Sequence, residues 1–184
     1  MDRRSNNIAI FQDSMDLIKA NQKLQQAVQF SIQNQKLYVP SQAIALSEPG
    51  KSSCKTIVSS KRSFEAASAY AKSGKRVCVL NFASATNPGG GVTRGSTAQE
   101  ECLCRCSTLY PCLDTETMWH QFYQPHRKTS DPLYNDDLLY TPGVVIFKTD
   151  TSVPERMEEK DWYQVDIITC AAPNLRKKPS NAMN

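Results

Sequence analysis

Two adjacent carboxylates, Glu100 and Glu101, follow a run of three glycines, Gly89, Gly90 and Gly91, within a chain of 184 residues. Paired acids suit general acid–base work when burial or a neighbouring charge sets their pKa values apart. Successive glycines let a backbone take positive φ and let a ligand approach main-chain N–H groups with no side chain in the way. Consecutive residues on a helix point about 100° apart, so the two acids are predicted not to face one atom and to take different jobs. One would grip a sugar diol while the other acts as general acid and then base. A helix N-terminus lowers a carboxyl pKa and burial raises it, so the sign of the shift stays open at this stage. Taken singly, each feature has a bland reading: glutamates in a first turn complement the helix dipole for roughly 0.3–1 kcal/mol each, and glycine runs make plain turns. Their occurrence together, within one short span after a strand, favours a site.

The elements that must position these residues follow from periodicity. Val77, Val79 and Leu80 mark a strand from Arg76 to Ala83, with the glycine loop leaving its C-terminal end, where open α/β sheets bind ligands. Ser96-Thr97-Ala98-Gln99 matches a capping box, predicting a helix from Thr97 with Ala98, Cys102, Cys106 and Leu109 on its buried stripe. Upstream, Ile8, Phe11, Met15 and Ile18 predict an amphipathic helix from Asn7 to Ala20. Leu24 to Ile32 fits helix or strand, and Pro40 ends it either way. Residues 46–55 read as a loop, Thr56 to Ser59 as a short strand, and Ser63 as the cap of a helix carrying Phe64, Ala67, Tyr70 and Ala71, with Gly74 just past its end. Residues 111–142, with four prolines, read as an irregular stretch that covers or shapes a site. Gly143 to Lys148 and Val165 to Ala172 read as two further strands, separated by a charged, partly helical stretch.

Composition sets the outer bounds. The chain has 40% hydrophobic and 22% charged residues and a formal net charge of +4, values ordinary for one globular domain and weak grounds for a polyanionic partner. Seven cysteines, an odd set with Cys78 and Cys170 inside apolar runs, predict free thiols in a reducing, cytoplasmic setting. The N-terminus shows no signal-peptide pattern, and no membrane span is expected. Cys102, Cys104 and Cys106 lie at two-residue steps, which places only the first and last on one helical face. Zinc sites favour other spacings, so these cysteines read as small packing residues. A cysteine nucleophile paired with His120 or His126 is the enzymatic alternative, against a reading of both histidines as loop packing or surface residues, or as lining the site and stacking on a base. Arg176-Lys177-Lys178 reads as a solvated end able to meet phosphates.

Known phosphate loops do not fit. A P-loop needs Gly-Lys-Ser/Thr, whereas Gly95 precedes Ser96, and a dinucleotide fingerprint starting at Gly89 would place Arg94 where its last glycine belongs. What remains is a loop of main-chain donors near a helix N-terminus, suited to anions or sugar hydroxyls. Asn87-Pro88-Gly89-Gly90-Gly91, seven intervening residues, then Gln99-Glu100-Glu101 resembles the signature of the poly(ADP-ribose) glycohydrolases, whose catalytic domain is a macrodomain. Val79-Leu80-Asn81-Phe82-Ala83-Ser84-Ala85, the later Leu103, Arg105, Ser107, Leu109 and Tyr110, and Ala171-Ala172-Pro173-Asn174 look like the shorter microbial type, so that the match spans roughly residues 56–176. The resemblance implies a macrodomain-like α/β fold, a mixed sheet flanked by helices over residues 56–184, preceded by an N-terminal helical extension over residues 1–55.

It also implies hydrolysis of the O-glycosidic bond between ADP-ribose units. Glu101 would protonate the departing ribose oxygen and then activate water, and Glu100 would bind ribose hydroxyls. Asn87 and the backbone of Gly89, Gly90 and Gly91 would hold the terminal ribose, with Gln99 supporting the pair. This differs from most glycosidases, in which two carboxylates flank the bond. The implied partners are poly(ADP-ribose) or an ADP-ribosylated protein, with ADP-ribose as product ligand. No cofactor, metal, membrane or direct nucleic-acid contact is implied. Family members continue beyond the Ala-Pro-Asn strand with a second glycine-rich loop that wraps the diphosphate and an aromatic residue that positions the ribose; neither is matched here. The expectation is therefore a C-terminally shortened homologue or fragment, lacking C-terminal strands. A non-catalytic ADP-ribose-binding macrodomain or inactive homologue is the alternative.

Overall fold

Asp2 opens the first helix, its carboxylate accepting the N–H of Arg4 at 2.7 Å and of Ser5 at 3.1 Å. The computed structural model describes residues 2–41, 54–129 and 131–173. Helix α1 (Arg3–Ala20) starts one turn earlier than the apolar pattern predicts, and its buried stripe is Asn7, Phe11, Ser14 and Ile18. Two of those four are polar because the helix docks on backbone carbonyls: Asn7 Nδ2 donates to Gly95 O (3.1 Å) and Ser14 Oγ to Arg105 O (2.7 Å). Lys148, 2% exposed, completes this anchor by donating to Ile10 O at 2.7 Å and pairing with Asp13 at 2.7 Å.

Asn21 ends α1 and caps α2 (Gln22–Asn34), which settles the ambiguous segment as helix. Strand β1 (Lys36–Tyr38) follows. The strand expected at Thr56 to Ser59 is absent: the segment has no regular structure, and Val58 is 92% exposed. Helix α3 (Ser63–Ala71) is capped from a distance, since Asp150 Oδ2 accepts the Phe64 N–H at 3.0 Å and Ser63 lies within the helix. Gly74 takes φ +78° beyond its end, in the left-handed region expected of a helix terminator. Most of the loop read at 46–55, together with Asn174 and Arg176 to Lys178, lies outside the described residues.

Strand β2 (Cys78–Ala83) leads into the glycine loop and α4 (Gln99–Cys106). The stretch expected to be irregular is largely helical, as α5 (Leu109–Leu113) and then α6 (Glu116–Met118), which runs through a π-helical segment (Trp119–Tyr123) into α7 (Gln124–Thr129). Phe122 and Tyr123 are fully buried there, so tertiary packing holds helix where proline-rich composition suggests loop. Strands β3 (Leu138–Ile146) and β4 (Tyr163–Ala171) complete a four-stranded mixed sheet in the order β1-β3-β4-β2, with β2 parallel to β4 and the other pairs antiparallel. Pro142, without an N–H, and Gly143, at φ +68°, form the register shift between Thr141 and Val144 in β3. The resulting fold is mixed α/β with helices at the N-terminus. No helix among the described residues is long and apolar enough to cross a membrane.

Candidate active site

Helix α4 begins at Gln99 rather than Thr97, with Ala98 as its cap residue. The expected capping box fails because the Gln99 side chain turns to β2, donating to Leu80 O (2.7 Å) and accepting from the Phe82 N–H (3.0 Å). The buried face also differs from the expected stripe. Ala98 is exposed and Cys102 half-buried, while Glu100, Glu101, Leu103, Cys104, Arg105 and Cys106 are buried. Both acids therefore point into the protein, at 3% and 7% exposure.

The glycine loop fits between them. Gly89 and Gly90 adopt φ +61° and +59°. A Cβ on Gly90 would lie 2.6 Å from Glu101 Oε1 and 3.0 Å from Glu100 Oε2, so both carboxylates converge on one point of the loop. That corrects the expectation drawn from the 100° helical offset: flexible side chains on neighbouring residues close around a backbone that carries no Cβ. The loop's donors are also spent differently from a phosphate cradle. The Gly90 N–H donates to Asn87 O (3.0 Å), closing the turn, and the Gly91 N–H donates to Glu101 Oε1 (2.8 Å).

The two acids sit in unlike surroundings. Glu100 Oε2 accepts the Ser84 N–H at 2.8 Å, and Oε1 lies 3.5 Å from Asn81 Nδ2, which also donates to Thr169 Oγ1 at 3.2 Å. Burial pushes the Glu100 carboxyl up to about 7; the Ser84 N–H and the Asn81 amide pull it back, and the adjacent Glu101 charge adds to the rise. Burial outweighs the helix N-terminus here. Glu101 holds Oε1 against the loop, while its Oε2 is buried with no hydrogen-bond partner among the described residues. Both acids line a cavity of about 300 Å³ whose walls include Phe82, Ser84, Thr86, Gly90 and Tyr134.

Several residues outside the glycine loop and the acids also shape this site. Arg127 Nε donates to Thr86 O and its Nη2 to Asn87 Oδ1, both at 2.7 Å, while the guanidinium lies 4.7 Å from the Trp119 ring centroid. Trp119 Nε1 in turn donates to Asp114 Oδ1 at 2.8 Å, so the helical run α5–α7 buttresses the start of the glycine loop. Tyr134 reaches the cavity wall with φ +59°, an uncommon backbone for a bulky residue. Asn81 carried a signal that could have been read: it is the polar residue on the inward face of an otherwise apolar strand, in register with Thr169.

The other candidates fall away from the site chemistry. His126 is buried with both ring nitrogens engaged, Nδ1 with Phe122 O (2.7 Å) and Nε2 with Asn135 Oδ1 (2.8 Å), which is a packing role. His120 is exposed. All seven cysteines are free thiols. Burial raises the thiols of Cys104 and Cys106 above their ordinary range and Cys112 to about 12, which removes the thiolate that a nucleophile needs. Among the described residues no group of three or more His, Cys, Asp or Glu side chains is placed to hold a metal ion.

A profile for the microbial-type PARG catalytic domain matches residues 8–149. The fold is similar to the crystal structure of poly(ADP-ribose) glycohydrolase (PARG) from Thermomonospora curvata, with a TM-score of 0.76 and 30% identity, over 92% of this chain and 65% of that one. A second structure of that protein, bound to the inhibitor ADP-HPD, matches with a TM-score of 0.70 at the same identity, over 92% of this chain and 64% of that one. The PARG of Deinococcus radiodurans in complex with ADP-ribose is 32% identical with a TM-score of 0.66, over 80% of this chain and 58% of that one. The chain thus spans slightly less than two thirds of the length of these relatives. No curated protein matches.

Proposed function

Because the chain belongs to the microbial-type poly(ADP-ribose) glycohydrolase catalytic-domain family, we propose that it carries the carboxylate-bearing part of a cleft that hydrolyses the ribose–ribose O-glycosidic bond of poly(ADP-ribose) and releases ADP-ribose. The observation that carries this reading is the pair of buried α4 acids that close on the glycine loop, of which Glu101 lines the cavity with one carboxylate oxygen that has no hydrogen-bond partner among the described residues.

In this mechanism Glu101 gives a proton to the departing ribose oxygen as the bond to the anomeric carbon breaks. The resulting carboxylate then takes a proton from the water that adds to that carbon, restoring the acid. The Gly91 N–H fixes Oε1, so Oε2 is the oxygen that exchanges the proton. Glu100, with a carboxyl near 7, both accepts from and donates to the vicinal hydroxyls of the terminal ribose. Asn87 and the loop surface at Gly89 to Gly91 receive that ribose, Arg127 holding the Asn87 side chain in one orientation. Gln99 acts through β2, tying the strand's outer edge to the start of α4. The D. radiodurans relative binds ADP-ribose, which supports the ligand class.

The test compares the wild-type chain with Glu101→Ala. ADP-ribose release from poly(ADP-ribose) is expected to fall at least about a hundredfold, the usual scale of a general acid–base contribution, while ADP-ribose still binds by isothermal titration. Release at the wild-type rate by Glu101→Ala would overturn the assigned mechanism. Binding of ADP-ribose by a wild-type chain that releases none would favour a recognition module.

A further inference from the structure

The start of α4 separates the acid-lined cavity from a second hollow of opposite character. Ala98 lines the first, while Thr97 before it and Gln99 after it line a cavity of about 270 Å³. Consecutive Cα atoms are about 3.8 Å apart, so the two hollows meet across a few backbone atoms. The Gln99 amide stands between them, its Nε2 donating to Ser63 Oγ at 3.2 Å as well as to Leu80 O at 2.7 Å. Charge on the far side is one-sided. Lys61 and Arg62 line the 270 Å³ cavity, and Arg3, Arg62 and Arg105 line a smaller one of about 30 Å³ that shares Arg62, Thr97 and Cys102 with it. Among the described residues Asp150 is the one carboxylate on either wall, and it is already engaged: Oδ1 accepts from Arg62 Nε at 2.6 Å and Oδ2 from the Phe64 N–H at 3.0 Å. Arg105 decides the class of ligand. It is 2% exposed, and among the described residues its guanidinium donates to the Ser96 carbonyl at 2.7 Å and the Cys102 sulfur at 3.3 Å and pairs with no carboxylate. A buried cation without a counter-charge is costly, and guanidinium forks beside a lysine suit phosphate oxygens.

We propose that these joined cationic cavities are a subsite for the diphosphate of the next unit along poly(ADP-ribose), the unit whose ribose oxygen Glu101 protonates. The substrate rests on the proposed function, whereas the anion class rests on the charges alone. The departing ribose carries its own diphosphate one sugar away from the bond that breaks, and the cationic hollow begins one residue from the wall that holds the acids. Lys61 and Arg62 meet the phosphates at the mouth, and Arg105 supplies the buried charge behind them. A subsite here makes the chain prefer a polymer end to free ADP-ribose, which has no second diphosphate to reach it.

Cys102 gives a readout that needs no turnover, because it lines both cavities and is half-buried, while exposed Cys78 on β2 lines neither. Alkylation of the two thiols by iodoacetamide is followed in the full chain with inorganic pyrophosphate, with ADP-ribose, and with short ADP-ribose oligomers, the last in Glu101→Ala so that they stay intact. Pyrophosphate and the oligomers are expected to slow Cys102 about tenfold at nine-tenths occupancy, with Cys78 unchanged and ADP-ribose without effect. Lys61 is exposed, so Lys61→Glu is expected to fold normally and to weaken pyrophosphate and oligomer binding about tenfold, the scale of one lost charged hydrogen bond. No slowing by pyrophosphate or oligomers overturns the proposal, as does protection that survives Lys61→Glu. Protection by pyrophosphate and not by oligomers overturns the polymer assignment, and equal protection by ADP-ribose would give the cavity to the terminal unit instead. The two readings fail separately: oligomers that protect Cys102 in a wild-type chain that never cleaves them sink the hydrolytic function and leave this subsite, whereas cleavage without protection does the reverse.

Discussion

Leu80 and Asn81 are neighbours in β2, yet the apolar side chain is 44% exposed and the polar one has no exposure at all. The same inversion runs along β4, where Thr169 is buried and the adjacent Ile168 and Cys170 are not. The covered face thus holds a polar pair for the site within the main apolar core. It takes an amide and a hydroxyl out of water to stand beneath Glu100, with Asn81 Oδ1 lacking a hydrogen-bond partner among the described residues, an arrangement that costs free energy. The open face keeps apolar surface in water that a second layer would normally cover. Stability is built on one side of the sheet, and the hydrophobic gain still to be made lies on the other.

The sharpest way to break this contrast is to shorten two adjacent residues of β4. Ile167 is fully buried in the main core and Ile168 sits on the open face. Ile167→Ala is expected to lower unfolding free energy by about 2–5 kcal/mol, the range for large-to-small changes in a packed core. Ile168→Ala should cost well under half of that, because water already reaches the site. Urea midpoints measured on the two variants decide it, and similar losses would mean that the open face is covered in solution.

The buried acid gives the next effect. Glu100 is raised from an ordinary 4.5 to about 7, chiefly by burial. Between those values the folded chain keeps a proton that the unfolded chain releases, so stability is fully present below about pH 4.5, declines as pH rises toward 7, and is level above it. The loss amounts to roughly 3 kcal/mol, at 1.36 kcal/mol per unit. Glu100→Gln should flatten that part of the pH–stability curve. An unchanged slope in the variant would show that another group carries the titration.

These effects were unequally legible in the residues. The loop and the acids could be located because glycine runs and adjacent glutamates announce themselves locally, and the strand and helix around them follow from short periodic patterns. What escaped was set by distant partners. Asp150 replaces Ser63 as the cap of α3 across 86 positions, and Gln99 leaves its capping box for a strand edge. The prolines of 111–142 suggested a loop, yet the buried Phe122, Tyr123 and His126 hold helix there. The convergence of Glu100 and Glu101 could not be read from helical geometry, since it depends on a loop backbone passing between them with positive φ at two glycines.

The smallest effect separates the two regions by function. Arg127 bridges Thr86 and Asn87 at the cavity rim, whereas Arg76 stands at the open side, 93% exposed and 3.8 Å from Asp166. Arg127 is itself exposed, so its hydrogen bonds compete with water and its removal should cost about 1 kcal/mol of ligand binding, or roughly a fivefold weaker ADP-ribose affinity. The loss should fall on affinity with turnover little changed, because Arg127 acts on the site by holding Thr86 and Asn87. Arg127→Lys should recover only part of it, since one ammonium cannot reproduce the two directed N–H bonds of the guanidinium fork. Arg127→Ala should also alter Trp119 fluorescence by removing the cation over its ring, whereas Arg76→Ala should change neither signal. If both arginine variants bound ADP-ribose like the wild type, the helical run α5–α7 would be a support for folding alone, and the orientation of Asn87 would be set by the turn that Gly90 closes.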